Sequence, residues 1–367
     1  MNVYSEAISR GDILSVTQNY NHIKVAVIGC GNWGKNLIRV LHGLGSLAAI
    51  CDLDSARSAQ LSQQYDVPSL SFDEILNNKA IAGVFIATPS RTHFDVGLAS
   101  LKASKHVYIE KPFASTFQQA SKLHELANQQ QRTLMIGHLL QYHRAFTHMK
   151  SLLHDGALGD LQYIYANRFN FGKFPNEESV LMDYAPHDIS MILSLVRSMP
   201  LTVMASNANH LQHTVSDTSS IQLTFPGNVK AHIFSSWLYP FKEQKMIIVG
   251  SKAMAIFEDS QPWESKLRLC PYPAQWVDGL PQPFAPVLEN VPVSPAEPLQ
   301  NECSHFLACI ASGEKPLTSS LEGLKVMAVL EAAMQSMRSE APINLGDKEY
   351  AFAQNKSQAH VQLESVS

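Results

Sequence analysis

A chain of 367 residues, 45% hydrophobic and 16% charged, is too long for one small core and too apolar for extended disorder, so about two globular domains are expected. The formal charge of -4, with no basic stripe, argues against a nucleic-acid footprint. No apolar run approaches the roughly 18 residues of a membrane span, and polar residues interrupt the amino-terminal MNVYSEAISRGDILSV where a secretory core would lie. A cytoplasmic protein is therefore expected, with Cys30, Cys51, Cys270, Cys303 and Cys309 as reduced thiols.

Residues 1–21 are polar and aperiodic and read as a flexible arm. Residues 22–28 form a short apolar run ending in glycine, as a buried parallel strand does. Trp33, Leu37, Val40, Leu41 and Leu44 follow at helical spacing, and 47–51 is apolar again, ending at Asp52. Further strands are predicted at 82–87, 106–109 and 134–136, separated by helix-length segments. Strands alternating with helices predict βαβ units around a parallel sheet, a Rossmann-type α/β domain over 22–141. After a helix near 143–154 the texture changes to aromatic and β-branched runs at 163–165, 221–225, 229–237 and 246–249. Turn signals such as Pro226-Gly227-Asn228 join them, predicting an α+β domain over 142–345 with a largely antiparallel open sheet. The proline-rich 270–298 reads as an irregular surface loop. Helices are predicted near 299–312 and 320–338, before a polar tail at 346–367.

Gly29-Cys30-Gly31-Asn32-Trp33-Gly34 is a GxGxxG between a predicted strand and a predicted helix. The first glycine suits a tight turn, the second lets a pyrophosphate approach the backbone, and the third permits close helix–strand packing. The helix start then offers free N–H groups to the phosphates. Asp52, 18 positions after Gly34, ends the second strand, where a carboxylate can accept both ribose hydroxyls and repel a 2′-phosphate. NAD is the expected cofactor. Arg57 counts the other way if it reaches a 2′-phosphate, and otherwise is a solvated helix residue.

Two more segments end strands on the cofactor side: Ala87-Thr88-Pro89-Ser90-Arg91-Thr92-His93 and Glu110-Lys111-Pro112. With Asp183-Tyr184-Ala185-Pro186-His187, their order and spacing resemble the Gfo/Idh/MocA family of oxidoreductases from about residue 22 to residue 340. The resemblance implies cofactor contacts from Gly29, Gly31, Asn32, Trp33, Gly34, Asp52, Thr88, Pro89, Glu110 and Lys111. It also implies a catalytic set of Lys111, Asp183 and His187 around a reacting carbinol. That chemistry is sensible in itself. A neutral imidazole, with an ordinary pKa of about 6.5, can take the hydroxyl proton while hydride leaves carbon. A lysine ammonium can stabilise the developing alkoxide, and a carboxylate can orient the imidazole. Asp188 competes with Asp183 for that orienting role, and His93 reads as structural. Ala185 stands where the family often has glycine, and Arg144 where it commonly has proline.

Segments 137–143, 167–172, 185–190 and 231–244 resemble a subgroup of that family acting on nucleotide-activated sugars. Such enzymes oxidise the 3-hydroxyl of UDP-N-acetylglucosamine or a related uronate, ahead of an aminotransferase, in polysaccharide or lipid A precursor synthesis. The resemblance makes Arg168 and Lys242 candidates for the diphosphate and Tyr142, His143 and His187 candidates for the sugar. It also implies a homo-oligomer, dimer or tetramer, paired through an uncovered sheet face. Keto-sugar reduction, cyclitol dehydrogenation and a non-catalytic NAD-binding regulator remain open. Cys303, His305 and Cys309 share a predicted helix without a four-ligand pattern, so no metal is expected.

Overall fold

The computed structural model describes residues 20–171, 179–211, 215–271, 274–283 and 287–346. The predicted arm and tail lie almost wholly outside these residues. Two compact units emerge, neither continuous in sequence: residues 20–142 with Glu297–Met327, and residues 143–296 with 328–346.

The first unit is built on five parallel strands, β1 (Val25–Ile28), β2 (Leu47–Cys51), β3 (Gly83–Ile86), β4 (His106–Glu110) and β5 (Leu134–Gly137), in the order β2-β1-β3-β4-β5. Its helices are α1 (Gly34–Gly43), α2 (Ser55–Tyr65), α3 (Phe72–Asn77), α4 (His93–Lys102) and α5 (Phe117–Gln129). Val27, Phe85, Tyr108 and Met135 lie side by side across the sheet and pack beneath Leu37, Ile38 and Leu41 of α1. Both faces are covered, which is why these strands read as unbroken apolar runs. The strand order reverses between β1 and β3, and ligands bind open α/β sheets outside the carboxyl ends of the strands at such a switch point.

The second unit opens with α6 (Arg144–His154), β6 (Leu161–Phe169) and α7 (Val180–Val196). β7 (Thr202–Ala208), β8 (Thr218–Thr224), β9 (Lys230–Ser236), β10 (Glu243–Gly250), β11 (Ala253–Glu258) and β12 (Leu267–Pro271) follow. With β6 they make seven strands of a nine-stranded sheet that is antiparallel except where β6 pairs with β9. The β8–β9 hairpin turns at Pro226-Gly227-Asn228, where Gly227 and Asn228 have φ of 71° and 63°. The stretch read as an irregular loop is corrected: β13 (Ala274–Val277) and β14 (Leu280–Pro283) form a hairpin about Asp278-Gly279, both at positive φ. Asp-Gly is a strong hairpin signal, masked in the sequence by the prolines around it. β15 (Glu289–Asn290) adds to one edge of the large sheet.

The predicted carboxy-terminal helices are present as α8 (Pro298–Ser312) and α9 (Ser320–Ser339), before β16 (Ile343–Asn344) on the edge strand β7. Leu299, Cys303, Phe306 and Leu307 place α8 in the core of the first unit, although it follows the second sheet in the chain. Thr318 gives its carbonyl to Ile136 N–H (2.8 Å), so this return segment also covers the β5 edge.

Candidate active site

The three glycines of the fingerprint meet three different surroundings. Gly29 has φ of 95°, and a Cβ there would stand 2.6 Å from the Ala87 carbonyl. A Cβ on Gly34 would stand 1.9 Å from the Gly29 oxygen, so α1 can start this close to the turn only with glycine. A Cβ on Gly31 would meet nothing within 4 Å. Open space at the second glycine, beside a helix amino terminus, is what a pyrophosphate needs, so these residues fit a dinucleotide.

Hydrogen bonds fasten the motif segments to one another. Asp52 Oδ2 accepts the Cys30 N–H (2.6 Å) and Oδ1 accepts the Asp54 N–H (2.8 Å), holding the end of β2 against the glycine turn. Arg57 Nη1 lies 3.3 Å from Asp52 and Nη2 lies 3.0 Å from Asp54, so its charge is shared between two carboxylates. Thr92 donates to the Thr88 hydroxyl (2.8 Å). His93, 1% exposed, has Nε2 on the Thr88 carbonyl (2.9 Å) and Nδ1 on the Pro112 carbonyl (2.8 Å). It thus ties the strand-end loop to Glu110-Lys111-Pro112, the structural role read from sequence. The Lys111–Pro112 peptide is cis.

Asn32 and Pro89 are exposed, and Thr88 and Lys111 are half-buried. Trp33 is partly exposed at the N-cap of α1, and its indole N–H donates to Glu110 Oε1. Glu110, expected among the cofactor contacts, is engaged by its neighbours within the fold. It is buried, accepts the Tyr108 hydroxyl as well (2.9 Å), and reaches the fingerprint through Trp33. Burial pushes its carboxyl up to about 7, even though Trp33, Tyr108 and the Lys111 charge all favour ionisation.

In the second unit, Asp183 and His187 lie four residues apart on α7, on one face of the helix and both half-buried. Ser179 caps this helix by accepting the Met182 N–H (3.4 Å). The helix therefore starts at Val180 and runs through Pro186. Asp188, one residue on, is buried and faces elsewhere: its two oxygens take Nε and Nη2 of Arg168 at 3.0 and 2.9 Å. It is thus committed to Arg168, not to orienting His187.

Three of the candidate substrate residues are buried and engaged within the fold. Arg168 is 5% exposed, and the fork that would grip a diphosphate is occupied by Asp188. Tyr142 is fully enclosed, its hydroxyl on Thr318 (3.0 Å) and its carbonyl accepting Asn301. His143 caps α6 by accepting the Ala145 N–H on Nδ1 (3.1 Å), so Nε2 carries the proton toward Asp259 (3.2 Å), while its ring stacks on Trp263. Burial alone would raise the Asp259 carboxyl, but hydrogen bonds from His143 and Lys266 hold it far below the ordinary range. Each of these side chains pins its own element in place.

The sequence reading overlooked two acids in the first unit. Glu322 pairs with the buried His138 at 2.6 Å. Glu302 sits on α8 in line with Leu299, Cys303 and Phe306, a carboxyl on the apolar stripe of a helix, and that placement was its signal. All five cysteines are buried and free. Among the described residues, no three His, Cys, Asp or Glu side chains gather as a metal site. No described helix is long and apolar enough to cross a membrane.

Residues 23–138 match the Gfo/Idh/MocA oxidoreductase family, described as an NAD-binding Rossmann fold, and residues 146–256 match the carboxy-terminal domain of the same family. The chain is 25% identical over 316 residues to the UDP-N-acetylglucosamine 3-dehydrogenase of Acidithiobacillus ferrooxidans, covering 86% of this chain and 96% of that one. It is 22% identical over 336 residues to the inositol 2-dehydrogenase of Rhizobium meliloti, covering 88% and 99%. A crystal structure of the Acidithiobacillus enzyme shares the fold, with a TM-score of 0.77 at 24% identity, over 87% of this chain and 98% of that one.

Proposed function

Because this chain belongs to the Gfo/Idh/MocA family of NAD-binding oxidoreductases, we propose that it oxidises a secondary hydroxyl, the 3-hydroxyl, of a nucleotide-activated sugar of the UDP-N-acetylglucosamine type. The end-to-end similarity to a relative named for that reaction carries the proposal. A bound nicotinamide supplies the hydride acceptor. His187 takes the hydroxyl proton, Asp183 on the same helical face orients His187, and the Lys111 ammonium stabilises negative charge on the substrate oxygen. NAD is proposed over NADP because Asp52 is held at the ribose end of the fingerprint, and because Arg57 is already engaged by Asp52 and Asp54. The products would feed polysaccharide or lipid A precursor synthesis.

A second reading, a cyclitol dehydrogenase, draws on the equally complete similarity to an inositol 2-dehydrogenase. Reduced-nicotinamide formation with NAD or NADP, across a panel of nucleotide sugars, free sugars and cyclitols with a carbonyl trap, separates the two. Turnover with UDP-N-acetyl-hexosamines supports the first reading, and turnover with inositol alone overturns it. NAD binding with no turnover at all would favour a regulator.

We also propose a homo-oligomer. Tyr165, Phe234 and Met204 alternate with buried neighbours on β6, β9 and β7 and are 45%, 40% and 38% exposed. A sheet face of this kind suits pairing with a second copy. A solution mass of 40.6 kDa, that of one chain, would sink it.

A further inference from the structure

Glu302 is fully buried, and its carboxyl oxygens lie next to the Tyr108 hydroxyl with no well-formed hydrogen bond to it. The neighbouring Tyr108 hydroxyl gives its proton to Glu110 instead. Glu302 faces Glu110 and Tyr108, with no cation against it. Glu110 faces Tyr108, Trp33 and Lys111, and Cys303 on α8 stands by both acids. Tyr142, also enclosed, faces Glu302. An ionised carboxylate so weakly served by donors is strongly disfavoured, and two adjacent buried acids do not both ionise. Burial, and the nearness of Glu110, push the Glu302 carboxyl well above its ordinary value.

This acid pair is wired to the fingerprint. Glu110 accepts the indole N–H of Trp33, the N-cap of the helix whose amino terminus suits a pyrophosphate. Negative charge arriving there disfavours a carboxylate on Glu110.

We propose that Glu302 and Glu110 form a buried acid pair, holding one proton in the free protein, that couples dinucleotide binding to proton uptake. Glu302 keeps its proton throughout, while Glu110 gains one when the ligand binds. Glu302 is a positioning residue acting through Glu110. The inference rests on the dinucleotide site and not on the identity of the sugar, so it is tested without substrate.

The probe is NADH, whose nicotinamide ring is uncharged. Calorimetry in two buffers of different ionisation enthalpy counts protons taken up near neutral pH. Kd is followed from about pH 6 to about pH 9. The expected result is fractional proton uptake, with Kd weakening by about three- to tenfold as pH rises through the Glu110 transition. Glu110→Gln abolishes the uptake, and Glu302→Gln, a neutral isostere, retains it. Infrared spectroscopy at about pH 9 provides a measurement independent of ligand: a protonated-carboxyl band present in the unmodified protein and in Glu110→Gln, and missing from Glu302→Gln. Should Glu302→Gln fail to fold, the other two proteins still decide the question. A flat Kd with no uptake overturns the coupling. Absence of the carboxyl band from the unmodified protein overturns the protonated Glu302. Failure of NADH to bind overturns the coenzyme reading beneath both.

Discussion

The two units bury charge in opposite ways. In the second, Asp188 is enclosed with a two-pronged Arg168, and Asp259 sits between Lys266 (2.8 Å) and His143 (3.2 Å). In the first, Glu302 is enclosed with another acid and no cation against it. A buried acid matched by a cation stays charged and fixes one geometry, so it serves the framework. A buried acid facing another acid keeps its proton, and its neighbour responds to whatever charge comes near. The contrast sets Arg168 apart as framework and underlies the role proposed for the Glu110 pair.

Arg168→Ala tests that contrast hardest. It leaves Asp188 buried without a partner, and stability should fall by about 3–5 kcal/mol in urea unfolding. A loss below about 1 kcal/mol would mean that the pair is not structural. Glu302→Gln tests the other side. An acid whose folded-state pKa is raised contributes most below its unfolded pKa, and the contribution is lost as pH rises toward the folded value. Relative to the unmodified protein, Glu302→Gln should therefore gain stability as pH rises above the ordinary carboxyl range, by up to about 1.4 kcal/mol per pH unit. A pH-independent difference would place an ionised Glu302 in the core.

The catalytic assignments are expected to act on rate and not on folding. Lys111→Ala and His187→Asn should each lower turnover about 10²-fold while NAD affinity stays within about twofold. Unchanged turnover in either would remove that residue from the mechanism. Asp52→Ala should have the smallest effect, weakening NAD by about tenfold and narrowing its advantage over NADP. An unaltered cofactor ratio would show that Asp52 only anchors the Cys30 and Asp54 N–H groups.

Much of the first unit was legible because local chemistry and tertiary role coincide there. Gly29 and Gly34 are needed for backbone reasons that hold in any context where that turn meets a helix and a neighbouring strand, and Gly31 leaves open space for a ligand. The strands of that sheet could be read because burial on both faces leaves unbroken apolar runs. The candidate substrate residues were less legible. Arg168, Tyr142 and His143 are polar groups whose partners lie 20 to 176 residues away, and no spacing rule announces such pairs. The Asp278-Gly279 hairpin was hidden differently, because Pro271, Pro273, Pro281 and Pro283 suggest a loop even where the turn dipeptide is right.

Alone, the sequence determined the alternation of strands and helices, the glycine turn, Asp52 at the second strand end, and the motif order that marks the family. These are properties of short segments, set by periodicity and backbone sterics. Tertiary structure decided which polar side chains are spent on holding the fold, and that α8 packs into the first unit after the chain has built the second sheet. It also placed Glu302 against Glu110. Burial and partner choice depend on contacts between distant segments, and a carboxyl's charge follows from them, not from its neighbours in sequence.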